Sequence, residues 1–159
     1  MEVDDDWVVS MGDGIEEIAR RFFAAVGELD GDAASALVSD AYEGSAAREL
    51  PISGQEEIYR GPAGLRDWIA ETAGAWDHYE IERIRFRRFA DVLVAIGMYR
   101  VAGQRSPFGI LEHSLPFVVV LRFEGELISS IRTYARYADA IAEERLADGN
   151  GAPSIEGND

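Results

Sequence analysis

The spacing of apolar residues changes once along this chain, and that change constrains the fold more than any other feature. Up to about residue 76 the period is helical. Ile15, Ile18, Ala19, Phe22, Phe23, Val26 and Leu29 recur three or four residues apart, with Glu16, Glu17, Arg20 and Arg21 between them. One broad apolar stripe of this kind predicts an amphipathic helix buried on one side, with Asp13 as its N-cap. Asp30-Gly31-Asp32 breaks the pattern, and Asp32 can cap a short second helix through Val38. Residues 40–60 show no clean period and read as loop with at most a short strand. A third helix has Pro62 at its tolerated first position and Leu65, Trp68, Ile69, Thr72, Ala73 and Trp76 as its stripe.

From Tyr79 the period is two. Tyr79 and Ile81 alternate, then Ile84 and Phe86 alternate one residue out of phase, which a bulge near Glu82–Arg83 explains. Val92 to Val101 is apolar on both faces and predicts a central strand. Leu111, His113, Leu115, Phe117, Val119, Leu121 and Phe123 form one face of the next strand. Glu124-Gly125 reads as a two-residue hairpin turn, and Leu127 to Tyr134 returns. A last helix covers about Tyr137 to Ala147. Helices followed by a run of strands mean α+β, with the helices on one face of a mainly antiparallel sheet. Residues 13–148 make the domain. An acidic tail, 1–12, and a Gly- and acid-rich tail, 149–159, lack the apolar surface to order themselves.

Composition removes whole classes of chemistry. There is no cysteine, which excludes disulfides and thiolate sites, and only two histidines, His78 and His113, with no paired ligand spacing. No metal site and no cofactor is expected. All fifteen basic residues are arginine, so Schiff-base chemistry and a phosphate-binding lysine are absent. A net charge of −15 repels nucleic acid and anionic lipid. No apolar run is long enough to span a bilayer and the N-terminus is acidic, so a cytoplasmic location is expected.

Several local patterns carry a family likeness. They are Arg21-Phe22-Phe23-Ala24-Ala25-Val26 followed by Gly31-Asp32, then Tyr59-Arg60-Gly61-Pro62-Ala63-Gly64-Leu65-Arg66-Asp67-Trp68. Trp76 to Tyr79 and Leu121-Arg122-Phe123-Glu124-Gly125-Glu126-Leu127-Ile128 complete them. In order and spacing the chain resembles the nuclear-transport-factor-2-like superfamily over about residues 14–146, and within it the SnoaL-like and ketosteroid-isomerase-like proteins. The resemblance implies a cone-shaped half-barrel: three N-terminal helices on a strongly curved sheet, a short C-terminal helix, and an apolar pocket at the open end. It also implies a choice among isomerases, cyclases, dehydratases, epoxide hydrolases and proteins without chemistry, since this fold hosts all of them.

The known catalytic sets do not carry over. The ketosteroid-isomerase oxyanion tyrosine falls on Phe22, its general base near Ser45 or Ala46, and its second oxyanion acid on Val119. Enolisation by that machinery has neither base nor donor. The Arg-x-Asp motif of limonene-epoxide-hydrolase-like enzymes falls on Gly97-Met98-Tyr99, and their other aspartate on Arg132 or Thr133. Both acids are lost.

The hairpin predicts which groups face the pocket. With Glu124-Gly125 as the turn, Leu121 pairs Ile128, Val119 pairs Ser130 and Phe117 pairs Arg132. Ser130, Arg132 and Tyr134 then join the face of His113, Phe117 and Val119. His113 can exchange protons near neutrality or sit hydrogen-bonded in the core. Arg132 can hold an anion or pair with an acid such as Glu49, and Tyr134 can donate to a ligand oxygen or pack at the rim. Glu49, flanked by Leu50-Pro51-Ile52, is either a pocket base with a raised pKa or a solvated loop residue. Phe22, Tyr42, Tyr59, Trp68 and Tyr99 complete the candidate ligand contacts.

Two functions remain open at this level. One is a pocket that binds a small apolar molecule without the known isomerase or hydrolase machinery. The other is a cofactor-independent enzyme using His113 as acid/base with Arg132 and Tyr134. An outer-face patch of Val118, Val120, Leu127 and Ile131, bordered by Arg122 and Ser129, points to a homodimer across the sheet.

Overall fold

The computed structural model describes residues 2–45, 58–90, 92–103 and 113–146, with side chains from residue 14 onward and, in the last segment, from residue 114. Helices α1 (Glu2–Gly27) and α2 (Gly31–Ser35) lead into strand β1 (Val38–Ser45). Strand β2 (Tyr59–Arg60) runs directly into helix α3 (Gly61–Ala75). Strands β3 (His78–Phe89), β4 (Val92–Ala102), β5 (His113–Glu124) and β6 (Leu127–Tyr134) follow, then helix α4 (Tyr137–Glu144).

The six strands form one curved, unclosed sheet in the order β2-β1-β6-β5-β4-β3. Every neighbouring pair is antiparallel except β1 with β6. The fold is therefore α+β, as the change of period predicts. β4 lies inside the sheet and is buried on both faces, which is why its sequence shows no alternation.

Several boundaries differ from the sequence reading. Helix α1 begins at Glu2, so Asp13 lies inside it rather than at its N-cap. Asp30, not Asp32, caps α2, its carboxylate accepting from the Ala33 amide at 3.1 Å. Residues 38–45 are a full strand. Val38, Ser39, Tyr42 and Gly44 are buried and Asp40, Ala41 and Glu43 exposed, an irregular pattern with no strict period. The bulge in β3 is present: register shifts between Glu82 and Arg85, with Arg83 at φ 60°.

The β5–β6 hairpin departs most. Its turn residues are Gly125-Glu126, with Glu124 opposite Leu127 and Gly125 at φ 65°, a left-handed conformation that glycine adopts without strain. That moves the register by two and leaves the faces unchanged. A second irregularity then flips them. Phe123 pairs Ile128 but Arg122 pairs Ser130, so Ser129 is an extra residue. Beyond it Leu121 pairs Ile131 and Val119 pairs Thr133, while Val120 pairs Arg132 and Val118 pairs Tyr134.

Apolar residues form two layers. On the concave side α1 and α3 pack on the sheet, with Phe22, Phe23, Leu65, Ile69 and Trp76 buried against Tyr99, Phe117, Val119 and Leu121. Trp68 packs against this layer half-buried. On the convex side Phe89, Val92, Val94, Val118 and Val120 pack with Ala140, Tyr137 and Ile141 of α4. The expected outer patch therefore does not exist as an exposed surface. Val118 and Val120 are 4% and 1% exposed under α4, Ile131 lies on the concave side, and only Leu127 reaches solvent.

Candidate functional site

The cone's opening lies between α1, α3 and the concave face. Phe22, Phe23 and Val26 come from the buried stripe of α1, and Leu65 and Trp68 from α3. Ile81, Tyr99, Val119, Ile131 and Thr133 project from the sheet, and Tyr42, Gly44, Ser45 and Tyr59 from β1 and β2. Together they enclose a cavity of about 60 Å³. A 150 Å³ apolar cavity holds benzene. As closed here, this one admits only a few water-sized groups, and a larger ligand needs side chains to move.

The described lining contains no Asp, Glu, His or Arg. Its polar atoms are the hydroxyls of Tyr42, Tyr59, Tyr99, Ser45 and Thr133 and the indole N–H of Trp68. Tyr59 donates to Glu71 Oε1 at 2.7 Å. Burial raises the phenols of Tyr42 and Tyr99 well above their ordinary value, so both stay neutral and can act only as donors or neutral acceptors near neutral pH. Tyr42 folds its ring over Gly44, where a Cβ would collide with the Tyr42 hydroxyl. A side chain at 44 would displace that ring.

A row of rings fixes Tyr99. Its centroid lies 4.4 Å from that of Phe117 and 5.8 Å from that of Tyr79. Phe117 in turn stacks on Phe23 at 6.1 Å. Phe117 reaches this place because residue 97 is glycine, whose Cβ would otherwise sit 2.7 Å from the ring's Cζ.

Of the candidate contacts, Phe22, Tyr42, Tyr59, Trp68, Tyr99 and Val119 line the cavity, and Phe117 is buried directly behind Tyr99. Ser130, Arg132 and Tyr134 do not. The extra residue Ser129 turns them to the convex face, where Ser130 and Arg132 line an open polar recess with Arg122, Glu43, Glu143 and Glu144. His113 opens β5 opposite Val101, and its side chain lies outside the described residues, as does Glu49. The proposed set of His113, Arg132 and Tyr134 is thus not brought together around the cavity.

Arg132 and Tyr134 instead meet Glu144 on α4. That carboxylate is 6% exposed and accepts from Arg122 at 2.8 Å and from the Tyr134 hydroxyl at 2.5 Å, with Arg132 at 3.7 Å. Burial pushes the Glu144 carboxyl upward, but the Arg122 and Tyr134 hydrogen bonds and both arginine charges outweigh it and hold it below the usual range. Burial, then the bond to Glu144, raises Tyr134 to about 12. Arg132 has Glu144 beside it, and Glu49, the partner that sequence reasoning gave it, lies outside the described residues.

Phe23, Val26, Gly44, Ser45, Leu65, Ile81, Ile131 and Thr133 were missed as lining residues. The α1 stripe carried a signal for the first two and strand alternation for Ile81. Ile131 and Thr133 carried none, because the bulge that turns them inward has no mark in the sequence.

No protein-family model matches the chain, and no curated protein matches its sequence. Solved structures match its fold. An NTF2-like protein of unknown function from Burkholderia pseudomallei superposes with a TM-score of 0.66 at 18% identity, over 86% of this chain and 98% of that one. A Catenulispora acidiphila protein with a ketosteroid isomerase-like fold, solved in complex with trimethylamine, gives 0.63 at 19%, over 82% and 93%. A Shewanella denitrificans protein assigned as a SnoaL-like polyketide cyclase gives 0.62 at 14%, over 82% and 96%. At these identities the likeness is one of fold. The chain has the NTF2-like cone fold that the motifs suggested. Among the described residues, no helix is long and apolar enough to cross a membrane, and no group of acidic or histidine side chains could hold a metal.

Proposed function

We propose that this chain is a binding domain that houses a small, mostly apolar molecule between α1, α3 and the concave sheet face, and performs no acid–base chemistry on it. One observation carries this reading: among its described residues the cavity lining has hydroxyls and rings but no ionisable group that titrates near neutrality. Proton transfer needs an acid or base within hydrogen-bond reach of the reacting atom. The neutral phenols of Tyr42 and Tyr99 cannot take up a proton at pH 7. The structural neighbour solved with trimethylamine supports small ligands as occupants of this fold. A cavity of about 60 Å³ suits a molecule of that order before any side chain moves.

The test uses acetone, cyclohexanone and acetophenone as a size series. Binding is followed by the tryptophan fluorescence of the chain, and exchange of the α-hydrogens in D2O by proton NMR. Saturable binding of at least one ketone, with exchange no faster than in buffer, is the expected outcome. Accelerated α-exchange would show a working base and overturn the non-catalytic reading. Absence of saturable binding by the whole series would overturn the binding reading.

A further inference from the structure

Strand β3 closes one end of the sheet order, and among the described residues it pairs only with β4. Its other side is an unpaired backbone edge twelve residues long. Proteins guard such edges with charge and with bulges, and β3 has both. A bulge lies at Arg83, φ 60°, among six charged side chains: Glu80, Glu82, Arg83, Arg85, Arg87 and Arg88. Guarding explains the charge but not its arrangement. A uniform sign would repel a second copy, whereas here the acids fill the first half of the strand and the arginines the second. An antiparallel copy turns those halves toward each other. The arginines also lack partners at home. Among the described residues none of the four meets a carboxylate, in a chain with twice as many acids as arginines. Arg87 donates to the Tyr137 hydroxyl at 3.2 Å and Arg88 to the Ala90 carbonyl at 2.8 Å. In the acidic half, Arg100 lies 3.7 Å from Glu80 and 3.6 Å from Glu82, one guanidinium for two carboxylates, and His78 Nε2 lies 3.6 Å from Glu80.

We propose that β3 joins two copies of this chain, paired antiparallel edge to edge about a two-fold axis that passes between Arg83 and Ile84. One register satisfies both faces. Glu82 then stands opposite Arg85 and Glu80 opposite Arg87, and symmetry makes each pair twice. All four project from the convex face, because their partners on β4 are Met98, Ile96, Arg100 and Val94, and Ile96 and Val94 pack on that side. The bulge preserves this: Glu82 and Arg85 pair positions two apart on β4, so they point the same way. On the concave face Ile81 meets Phe86, and both half-buried side chains gain cover. The bulges lie on the axis, so the new ladder forms on two arms, 78–82 and 85–89. The contact is at the sheet edge, not across the convex face where α4 packs, and it is independent of what the cavity binds.

Sedimentation velocity on the full chain reads the assembly. It is run at about 0.15 M NaCl, where repulsion between two net charges of −15 is screened beyond about 8 Å. The wild type is expected to sediment as a dimer at micromolar concentration. Glu82→Arg and Arg85→Glu should each sediment as monomers, because each sets like charges opposite one another on both sides of the axis. Mixed in equal amounts the two variants should dimerise, since each copy then supplies the charge that the other lacks. Thermal unfolding confirms that each variant folds. Hydrogen exchange on the wild type gives a check free of substitution: outward-facing amides of 78–89 should exchange more slowly as protein concentration rises. A wild type that stays monomeric overturns the proposal. So does a dimer that survives both substitutions, a mixture of folded variants that stays monomeric, or exchange in β3 that ignores concentration.

Discussion

Gly97 shows how much one missing methyl group shapes this cavity. The Phe117 ring occupies the space above it and is fully buried. Tyr99 at 4.4 Å and Phe23 at 6.1 Å leave that ring nowhere to retreat. A Cβ at residue 97 would approach Phe117 Cζ to 2.7 Å and Ile84 Cδ1 to 3.2 Å. Alanine improves strand propensity, but overpacking a filled core costs about 1–3 kcal/mol and outweighs that gain. Gly97→Ala should therefore lower the urea midpoint without changing its slope. Adding Phe117→Leu should return part of the loss, because the smaller side chain vacates the contested volume. An additive double variant would mean that the two positions are not coupled through this contact. At this scale the sequence was partly legible. Phe22, Tyr42, Tyr59, Trp68 and Tyr99 could be assigned to the cavity from stripes and family spacing. The need for glycine at 97 could not, since nothing local to β4 says that a ring from β5 crosses it.

Among the elements, α4 and the β5–β6 hairpin depend on one carboxylate. Glu144, at the last turn of α4, is bound by Arg122 of β5 and Tyr134 of β6, which ties the helix over Val118 and Val120. Its folded-state pKa is depressed, so the stabilisation is fully present above the unfolded carboxylate value of about 4.3 and is lost as pH falls through the lower folded value. Arg122 and Arg132 are 43% and 62% exposed, so solvent screens their share, and the two short hydrogen bonds carry most of the effect. Glu144→Ala should cost about 1–2 kcal/mol at pH 7 by urea unfolding, and the difference from wild type should shrink below about pH 4. A gap that persists unchanged at pH 3 would mean that packing, not charge, explains it. The stripe of α1 was legible because seven apolar positions agree on one period. The face of β6 was not, because one small polar residue, Ser129, inverts every position after it, and no sequence pattern sets a bulged serine apart from a paired one. With that inversion went the supposed cavity roles of Ser130, Arg132 and Tyr134. The outer patch was misread for a second reason: the sequence gives no sign that α4 folds back over Val118 and Val120.

For the whole molecule, the order of periods decided the fold, while charge decides how the fold responds to its medium. Thirty acids face fifteen arginines, a net charge of −15. Even with every arginine paired, half the carboxylates remain and repel one another across the surface. Most described ion pairs are solvent-exposed, including Arg20–Glu16, Arg21–Glu17 and Arg60–Glu43, and exposed pairs contribute only about 0–1 kcal/mol each. Salt weakens both effects. Screening works over about 10 Å at 0.1 M, so it removes the long-range repulsion of many unpaired acids along with the attraction of a few weak pairs. Repulsion outweighs attraction here, and stability should rise with chloride. The melting temperature is expected to increase by several degrees between about 10 mM and about 0.5 M NaCl, chloride being chosen because sulfate also strengthens apolar burial. A melting temperature that falls with salt would show that the pairs outweigh the excess charge. The Glu144 contact gives an internal control, since the Glu144 side chain is 6% exposed and partly buried pairs are screened much less. The deficit of Glu144→Ala should therefore persist at about 0.5 M NaCl even as both proteins gain stability, and its disappearance there would place that contact among the surface pairs.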